Sequence, residues 1–182
     1  MKVLTTSRLI LRAFTLDDSE IVAKLCHNKK IYEMTSSLPY PYTVEIAKSW
    51  IECHEGWCQE FQRFEWAIVN VKTNQLFGAI GLSYHREHHH GEVGYWLGEP
   101  YWNQGYATEA LQCVIEWAFA EQHYHRIFAR HFVFNLASRK VMEKSGLTYE
   151  GAMIDHLLKD GQYVTLECLS IIKPKDWMPQ GI

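Results

Sequence analysis

The spacing of apolar residues predicts that strands and helices alternate along this chain. Apolar and polar residues alternate in segments such as 64–71 (FEWAIVNV), which is typical of strands. In residues 108–122 the apolar side chains recur every three or four positions, so one face of a helix is apolar. The seven predicted strands cover residues 8–14, 64–71, 76–84, 92–97, 126–134, 147–156 and 163–172.

The predicted order is a strand, two helices, three strands, a helix, a strand, a helix and two strands. This order favours a mixed α/β (α+β) fold, in which a mostly antiparallel sheet carries helices on its faces. Asp17 is predicted to cap the first helix, and Thr43 to open a second helix that continues through Trp57. Gly146 is predicted to end the last helix, and residues 159–161 to form the final hairpin turn.

Composition narrows the class of protein. The 182 residues fit one domain, over residues 1–182, and the net charge of -3 provides no basic surface for nucleic acid or an anionic membrane. The first residues contain no long apolar run, so we predict a cytoplasmic protein without a membrane segment. The five cysteines are scattered and form no C-x-x-C pair, which predicts neither a disulfide framework nor a metal site.

Residues 101–110 (YWNQGYATEA) connect a predicted strand to the clearest predicted helix. A helix N-terminus has unpaired N–H groups and a partial positive charge, so it can bind an anion. Gly105 lets a ligand approach the backbone, because it has no Cβ. The segment lacks the lysine of a P-loop and the glycine spacing of a dinucleotide site. From the residues alone, a plain turn before an amphipathic helix is an equally good interpretation.

Two motifs in this sequence resemble one family. Residues 92–111 (EVGYWLGEPYWNQGYATEAL) resemble motif A of the GNAT superfamily of N-acetyltransferases, in particular the branch that acetylates N-terminal Ala or Ser of ribosomal proteins. Residues 135–147 (NLASRKVMEKSGL) resemble that branch's N-x-x-S-x-x-x-x-E-x-x-G-[FL] motif. The resemblance extends from about Thr5 to Trp177. It implies one GNAT domain with a seven-stranded sheet, in which strands 4 and 5 splay apart as a V.

The resemblance also implies acetyl-CoA as co-substrate and no metal. The acetyl-pantetheine arm would lie in the V-shaped opening, and backbone N–H groups of residues 103–108 would hold the pyrophosphate. Trp102 stands where most of the superfamily has Gln or Arg, so this loop would depend on backbone donors. The implied acetyl-CoA-binding residues are Trp96, Leu97, Trp102, Asn103, Gln104, Gly105, Tyr106, Ala107, Thr108, Asn135, Ser138 and Lys140. Lys140, like Arg139, is also consistent with an ordinary solvated helix charge.

Acetyl transfer to an amine needs a deprotonated amine and a stabilised leaving thiolate. Glu92 is the first hypothesis for the base, or for binding the ammonium, although a solvent-facing Glu at a strand end is equally plausible. The resemblance implies that Ser138 protonates the thiolate, and Ser138 also suits the N-cap of the following helix. Tyr149 and Tyr163 are weaker alternatives for the acid.

Trp50, Tyr40 and Glu92 are predicted to contact the acceptor, with core packing as the alternative for Trp50. The histidines at 85 and 88–90 indicate a polar loop, because consecutive histidines cannot all converge on one ion. The predicted function is transfer of acetyl from acetyl-CoA to a primary amine, in particular the N-terminal α-amine of a protein such as a ribosomal protein. The alternatives are a small-molecule amine (polyamine, amino acid or aminoglycoside) and a non-catalytic acyl-CoA-binding module. A homodimer fits the branch.

Overall fold

Residues 1–122 and 124–177 are described by the computed structural model of this chain, and one sheet of eight strands runs through them. The strands are β1 (Leu4–Thr5), β2 (Leu9–Ala13), β3 (Arg63–Asn70), β4 (Leu76–His85), β5 (His90–Leu97), β6 (Arg126–Phe132), β7 (Thr148–Lys159) and β8 (Gln162–Ile172). The helices are α1 (Ser19–Cys26), α2 (Lys29–Met34), α3 (Val44–Glu52), α4 (His54–Phe61), α5 (Tyr106–Glu121) and α6 (Leu136–Lys144).

The strand order is β1-β2-β3-β4-β5-β6-β8-β7, and every neighbouring pair is antiparallel except β5 and β6. The mixed, mostly antiparallel sheet predicted from the sequence is therefore confirmed. The predicted number of seven strands is one short, because β1 has only two residues and shows no alternation. The final hairpin turn lies at Asp160 and Gly161, whose φ angles of 50° and 76° are typical of a type I′ turn.

The segment between β2 and β3 contains four helices instead of the two that the apolar spacing predicts. Thr43 opens α3 as expected, with its hydroxyl accepting from Ile46 N–H at 3.3 Å. That helix ends at Glu52, and α4 begins at His54. Asp17 does not cap α1, because a 3₁₀ turn over Leu16–Asp18 precedes this helix and Asp18 is at its N-cap position. The Asp18 carboxylate accepts the N–H of Thr15 at 2.8 Å.

Both faces of the sheet are covered by helices. On one face, α5 packs Leu111 against strand residues such as Trp66 and Ile80. On the other face, α1 and α3 cover β3 and β4, where Val22 packs near Ala67. Alternating residues of one strand therefore face different helices. Among the described residues, no helix is long and apolar enough to cross a membrane.

The parallel strands β5 and β6 separate along their length. They pair only over their first three residues, the last pair being Glu92 with Phe128. From Val93 to Leu97, β5 continues to pair with β4 on its other side. The sheet thus has a V-shaped opening between β5 and β6, as predicted, and its vertex is at Glu92.

Candidate active site at the opening between two parallel strands

The loop of residues 98–105 leads from the end of β5 to the N-terminus of α5. Asn103 and Gly105 both have left-handed backbone conformations, with φ of 60° and 81°. The Trp102 indole donates to the Leu97 carbonyl at 2.7 Å and so ties the loop to β5. The first hydrogen bond of α5 runs from Glu109 N–H to Gly105 O at 3.0 Å. The preceding N–H groups, up to Thr108, therefore have no partner within the helix.

The side chains of this loop support its backbone. Gln104 donates to the Pro100 carbonyl at 2.8 Å, and the Tyr106 ring packs on Phe77 with ring centroids 4.7 Å apart. Ala107 is buried against the sheet. The segment predicted to bind pyrophosphate thus presents backbone donors, and the Trp102 indole, which is among the predicted acetyl-CoA-binding residues, is hydrogen-bonded to Leu97.

The backbone of β5 divides its hydrogen-bonding groups between β4 and the opening. A Cβ on Gly78 would overlap the Trp96 carbonyl, so this carbonyl faces β4. In an antiparallel pair alternate residues point their backbone groups to opposite sides. The groups of Tyr95 and Leu97 therefore face the opening. Those of Trp96, which is among the predicted acetyl-CoA-binding residues, take part in pairing with β4 instead. The Trp96 side chain packs with the α1 and α3 core.

Two hydroxyl groups meet at the start of α6. Ser138 Oγ lies 2.9 Å from the Tyr95 hydroxyl, which also donates to the Ser138 carbonyl at 3.1 Å. Burial raises the pKa of Tyr95 above its ordinary value, so its hydroxyl stays protonated. The N-cap of α6 is Asn135, which accepts from Ser138 N–H at 3.1 Å and donates to Met34 O at 3.3 Å. The alternative role of Ser138 as the N-cap is therefore wrong.

Glu92 lies at the vertex of the opening and is held by Arg130 of β6. Its Oε1 accepts from Arg130 Nε at 2.7 Å, and its Oε2 from the second guanidinium nitrogen at 2.9 Å. Arg130 also lies 3.3 Å from His156 Nε2. Glu92 is therefore not an unpartnered solvent-facing carboxylate, because both of its oxygens are engaged in a bidentate ion pair.

This geometry agrees with a family match along the sequence. The sequence model described as "Acetyltransferase (GNAT) domain" matches residues 8–148. The chain belongs to the GNAT acetyltransferase family. The uncharacterized N-acetyltransferase YoaA of Bacillus subtilis (strain 168) is 29% identical over 175 residues, which is 96% of this chain and 98% of that relative. The [ribosomal protein uS5]-alanine N-acetyltransferase of Escherichia coli (strain K12) is 26% identical and covers 97% and 93% of the two chains.

A solved GNAT structure shares the fold. The ribosomal L7/L12 α-N-protein acetyltransferase RimL in complex with coenzyme A superposes with a TM-score of 0.85 at 19% identity, covering 94% of this chain and 98% of that one. Like the relatives above, this chain is an N-acetyltransferase, and members of the family use acetyl-CoA as the acetyl donor.

The described residues fit acetyl-CoA at this GNAT site. At the Cβ position that Gly105 lacks, the single heavy atom within 4 Å is a guanidinium nitrogen of Arg8, at 3.4 Å. A diphosphate at this position would therefore meet N–H groups that have no partner within the helix, with the Arg8 guanidinium beside them. The backbone of Tyr95 and Leu97 would hold the pantetheine arm in the opening, with Asn135 and Ser138 beside its thiol end.

Arg8 is a residue of this GNAT site that the sequence does not single out. It donates to Gln104 O at 3.0 Å and to Glu109 Oε2 at 2.5 Å, and it lies over the Tyr106 ring at 4.5 Å. The same carboxylate accepts from the Thr6 hydroxyl at 2.5 Å. Arg8 thus connects the start of β2 to the N-terminus of α5. The pattern of the sequence does not reveal this role, because the partners of Arg8 are about a hundred positions away.

The two basic residues after Ser138 have different surroundings. Arg139 donates to Glu143 at 2.9 Å and to Glu167 at 3.1 Å, so its charge is neutralised within the protein. Lys140 is exposed. Lys140 therefore stays a predicted acetyl-CoA-binding residue, and of the two it is the better candidate for the phosphate on the ribose of acetyl-CoA.

The predicted acceptor residues lie on the side of the sheet that α1 and α3 cover. Trp50 packs edge-on against Phe14, with ring centroids 5.0 Å apart. This contact agrees with the alternative that Trp50 packs in the core. Tyr40 is 45% exposed and packs beside Tyr32 with centroids 5.7 Å apart. The other two tyrosines weighed for the acid are exposed on β7 and β8, namely Tyr149 and Tyr163.

The histidines gather at the tip of the β4–β5 hairpin. A short 3₁₀ turn connects the two strands there. The ring centroid of His90 lies 4.8 Å from that of His85 and 5.6 Å from that of His88. Burial and the neighbouring cations lower the pKa of His90. Within residues 1–122 and 124–177, no group of three or more His, Cys, Asp or Glu side chains is arranged to hold a metal ion.

Proposed function

We propose that this enzyme transfers the acetyl group of acetyl-CoA directly to the N-terminal α-amine of a protein. The observation that carries the proposal is the open surface over Gly94, two residues beyond the vertex. Gly94 is exposed, and no heavy atom lies within 4 Å of the position that its Cβ would occupy. An acceptor that is the end of a larger chain can reach the thioester there. The uS5-alanine N-acetyltransferase, which aligns over nearly the whole chain, supports this acceptor class.

An N-terminal amine also suits the reaction because the amine must lose a proton before it can attack the thioester. Its pKa of about 7.7–8.0 lies well below the ~10.4 of an alkyl ammonium, so it loses its proton more readily at neutral pH. Glu92 with Arg130 would form one wall of the acceptor site, so Glu92 stays a predicted contact of the acceptor. The base role predicted for Glu92 stays a hypothesis, and its two engaged oxygens weaken it as a proton acceptor.

On the thiol side, the Tyr95–Ser138 pair would stabilise the leaving sulfur. Acetyl-CoA supplies the thioester when bound. The Ser138 hydroxyl would donate to the developing negative charge, and the Tyr95 hydroxyl would orient Ser138. Because burial keeps Tyr95 protonated, this pair holds a proton throughout the neutral pH range. The five free cysteines are consistent with a reducing compartment, so a cytoplasmic location is part of the proposal.

A panel of four amines tests the acceptor class. The panel consists of an alanine-initiated peptide, a serine-initiated peptide, spermidine and lysine, with release of the coenzyme A thiol as the readout. We expect kcat/KM for at least one peptide to exceed that for spermidine and lysine by about tenfold or more, which corresponds to about 1.4 kcal/mol. The same peptide with an acetylated N-terminus is the matched control and should release no thiol. A preference for spermidine or lysine would contradict the protein acceptor and favour the small-molecule alternative.

A further inference from the structure

Glu65 of β3 has its carboxylate over the neighbouring strand. In the register of the sheet, Glu65 is paired with Gly81 of β4, and Gly81 is paired with Gly94 of β5. A Cβ on Gly81 would lie 2.5 Å from Glu65 Oε2 and 2.7 Å from Oε1. The carboxylate therefore covers Gly81, where the absence of a side chain leaves room for it.

This carboxylate is buried, and it lies beside the open surface over Gly94. Neighbouring strands are about 4.8 Å apart, so the carboxylate over β4 lies one strand away from the space above Gly94. Glu65 and Gly94 are on the same face of the sheet, because paired residues point the same way. An acceptor nitrogen above Gly94 would be within reach of Glu65 through one water.

The hydrogen bonds of Glu65 leave one oxygen available. Arg63 is its ion-pair partner, and both contacts are to Oε1, from Nε at 2.9 Å and from a terminal nitrogen at 2.8 Å. Among the described side chains, none donates to Oε2. Glu92 differs, since Arg130 engages both of its oxygens. Of Glu65 and Glu92, Glu65 has the oxygen that can accept a proton from an acceptor.

We propose that Glu65 is the general base that deprotonates the acceptor amine, an inference that rests on the proposed function. Glu65 Oε2 takes one proton from the ammonium, and the nitrogen lone pair forms the C–N bond to the acetyl carbon. The C–S bond breaks with its electron pair on sulfur, which takes a proton from Ser138, and water restores that proton. The nitrogen loses its second proton to water as the amide forms. One proton is released per acetyl group, since Glu65 returns its proton to solvent.

The electrostatic surroundings suit this role. Burial raises the pKa of Glu65, and the charge of Arg63 acts in the opposite direction. From α4, His54 adds no charge at neutral pH, because burial lowers its pKa to about 4. Across the sheet, Glu92 is neutralised by Arg130. A carboxylate with a raised pKa is a better base near neutral pH than an ordinary one.

The test is the pH dependence of kcat/KM for Glu65→Gln, measured from pH 6 to 9 with the four amines above. We expect a loss of about a hundredfold at pH 7, in the range typical of a removed general base. The loss should shrink as pH rises, because the variant then depends on amine that solvent has already deprotonated. For a peptide, log kcat/KM of the variant should rise with a slope of one up to the pKa of the amine, about 7.7–8.0.

Two matched variants separate catalysis from structure. Glu92→Gln should keep the shape of the wild-type pH profile and change mainly KM for the amine. Arg63→Gln removes the charge that lowers the pKa of Glu65. The acid limb of the kcat/KM profile of this variant should therefore lie at higher pH than that of the wild type. That shift also tests the proposal if Glu65→Gln does not fold. A purely structural Glu65 would leave the limb unmoved in Arg63→Gln.

The outcomes distinguish the two proposals. Acetyl-CoA affinity, measured by calorimetry, should be unchanged in all three variants. If the wild-type enzyme acetylates an amine and Glu65→Gln keeps its rate and pH profile, Glu65 is not the base. If the wild-type enzyme releases no thiol with any of the four amines, the proposed function itself is wrong.

Discussion

Replacing Gly105 by valine is expected to weaken acetyl-CoA binding by about a hundredfold, equivalent to about 2.7 kcal/mol. Gly105 has φ of 81°, a conformation that β-branched residues rarely adopt. The new side chain would also occupy the space beside Arg8 through which a diphosphate approaches the N–H groups of α5. Calorimetric titration with acetyl-CoA measures the effect.

The matched control is Gly161→Val in the turn between β7 and β8. Gly161 has a similar φ of 76°, and no heavy atom lies within 4 Å of its Cβ position. Its substitution should lower the melting temperature through backbone strain while leaving acetyl-CoA affinity unchanged. A Kd for Gly105→Val within threefold of wild type would show that the diphosphate binds elsewhere.

Removing the hydroxyl of Ser138 or of Tyr95 is expected to lower kcat by about a hundredfold in each case. The two groups are 2.9 Å apart and form one hydrogen-bonded pair, so each depends on the other. The double variant Ser138→Ala/Tyr95→Phe should therefore cost about as much as either single change, since residues that act as a unit are not additive. Single-turnover rates at saturating acetyl-CoA provide the comparison.

The expected effect of Ser138→Ala on kcat can be separated from an effect on the stability of α6. Because Asn135 and not Ser138 caps α6, Ser138→Ala should leave the melting temperature almost unchanged. Asn135→Ala is the matched variant for stability, and loss of its cap should cost about 1 kcal/mol. A decrease in kcat of less than tenfold for Ser138→Ala would rule out its role on the thiol side.

The sequence predicts the parts of this fold that short-range pattern determines. The apolar stripe of α5 and the turn at Gly161 are both where expected, because each depends on neighbouring residues. The predicted long second helix was wrong, since it is interrupted at Cys53 although its apolar spacing continues through Trp57. The sequence does not predict strand β1, because two residues are too few to show an alternation of apolar and polar side chains.

The site depends more on contacts between distant residues. The glycine-containing loop is visible in the sequence, but the bond from Arg8 to Glu109 joins residues 101 positions apart. The pairing of Glu92 with Arg130 likewise appears only once β5 and β6 are adjacent. Glu65 offered a usable signal, since alternation places it on the same face as Ala67 and Val69, which are buried. A carboxylate on the buried face of a strand, where the alternate residues are apolar, is a candidate site residue.

Transfer of acetyl from acetyl-CoA to an amine at the opening between β5 and β6 can be measured directly. The most direct measurement is a mass balance on the amine panel, with mass spectrometry of the acceptor and a thiol assay on the same sample. We expect one acetyl group on the primary amine for each thiol released. At an acetyl-CoA concentration near the wild-type Kd, we expect Gly105→Val to form both products about fiftyfold more slowly. Thiol release without acetylated amine, or acetyl-CoA binding with no transfer to any of the four amines, would contradict this expectation.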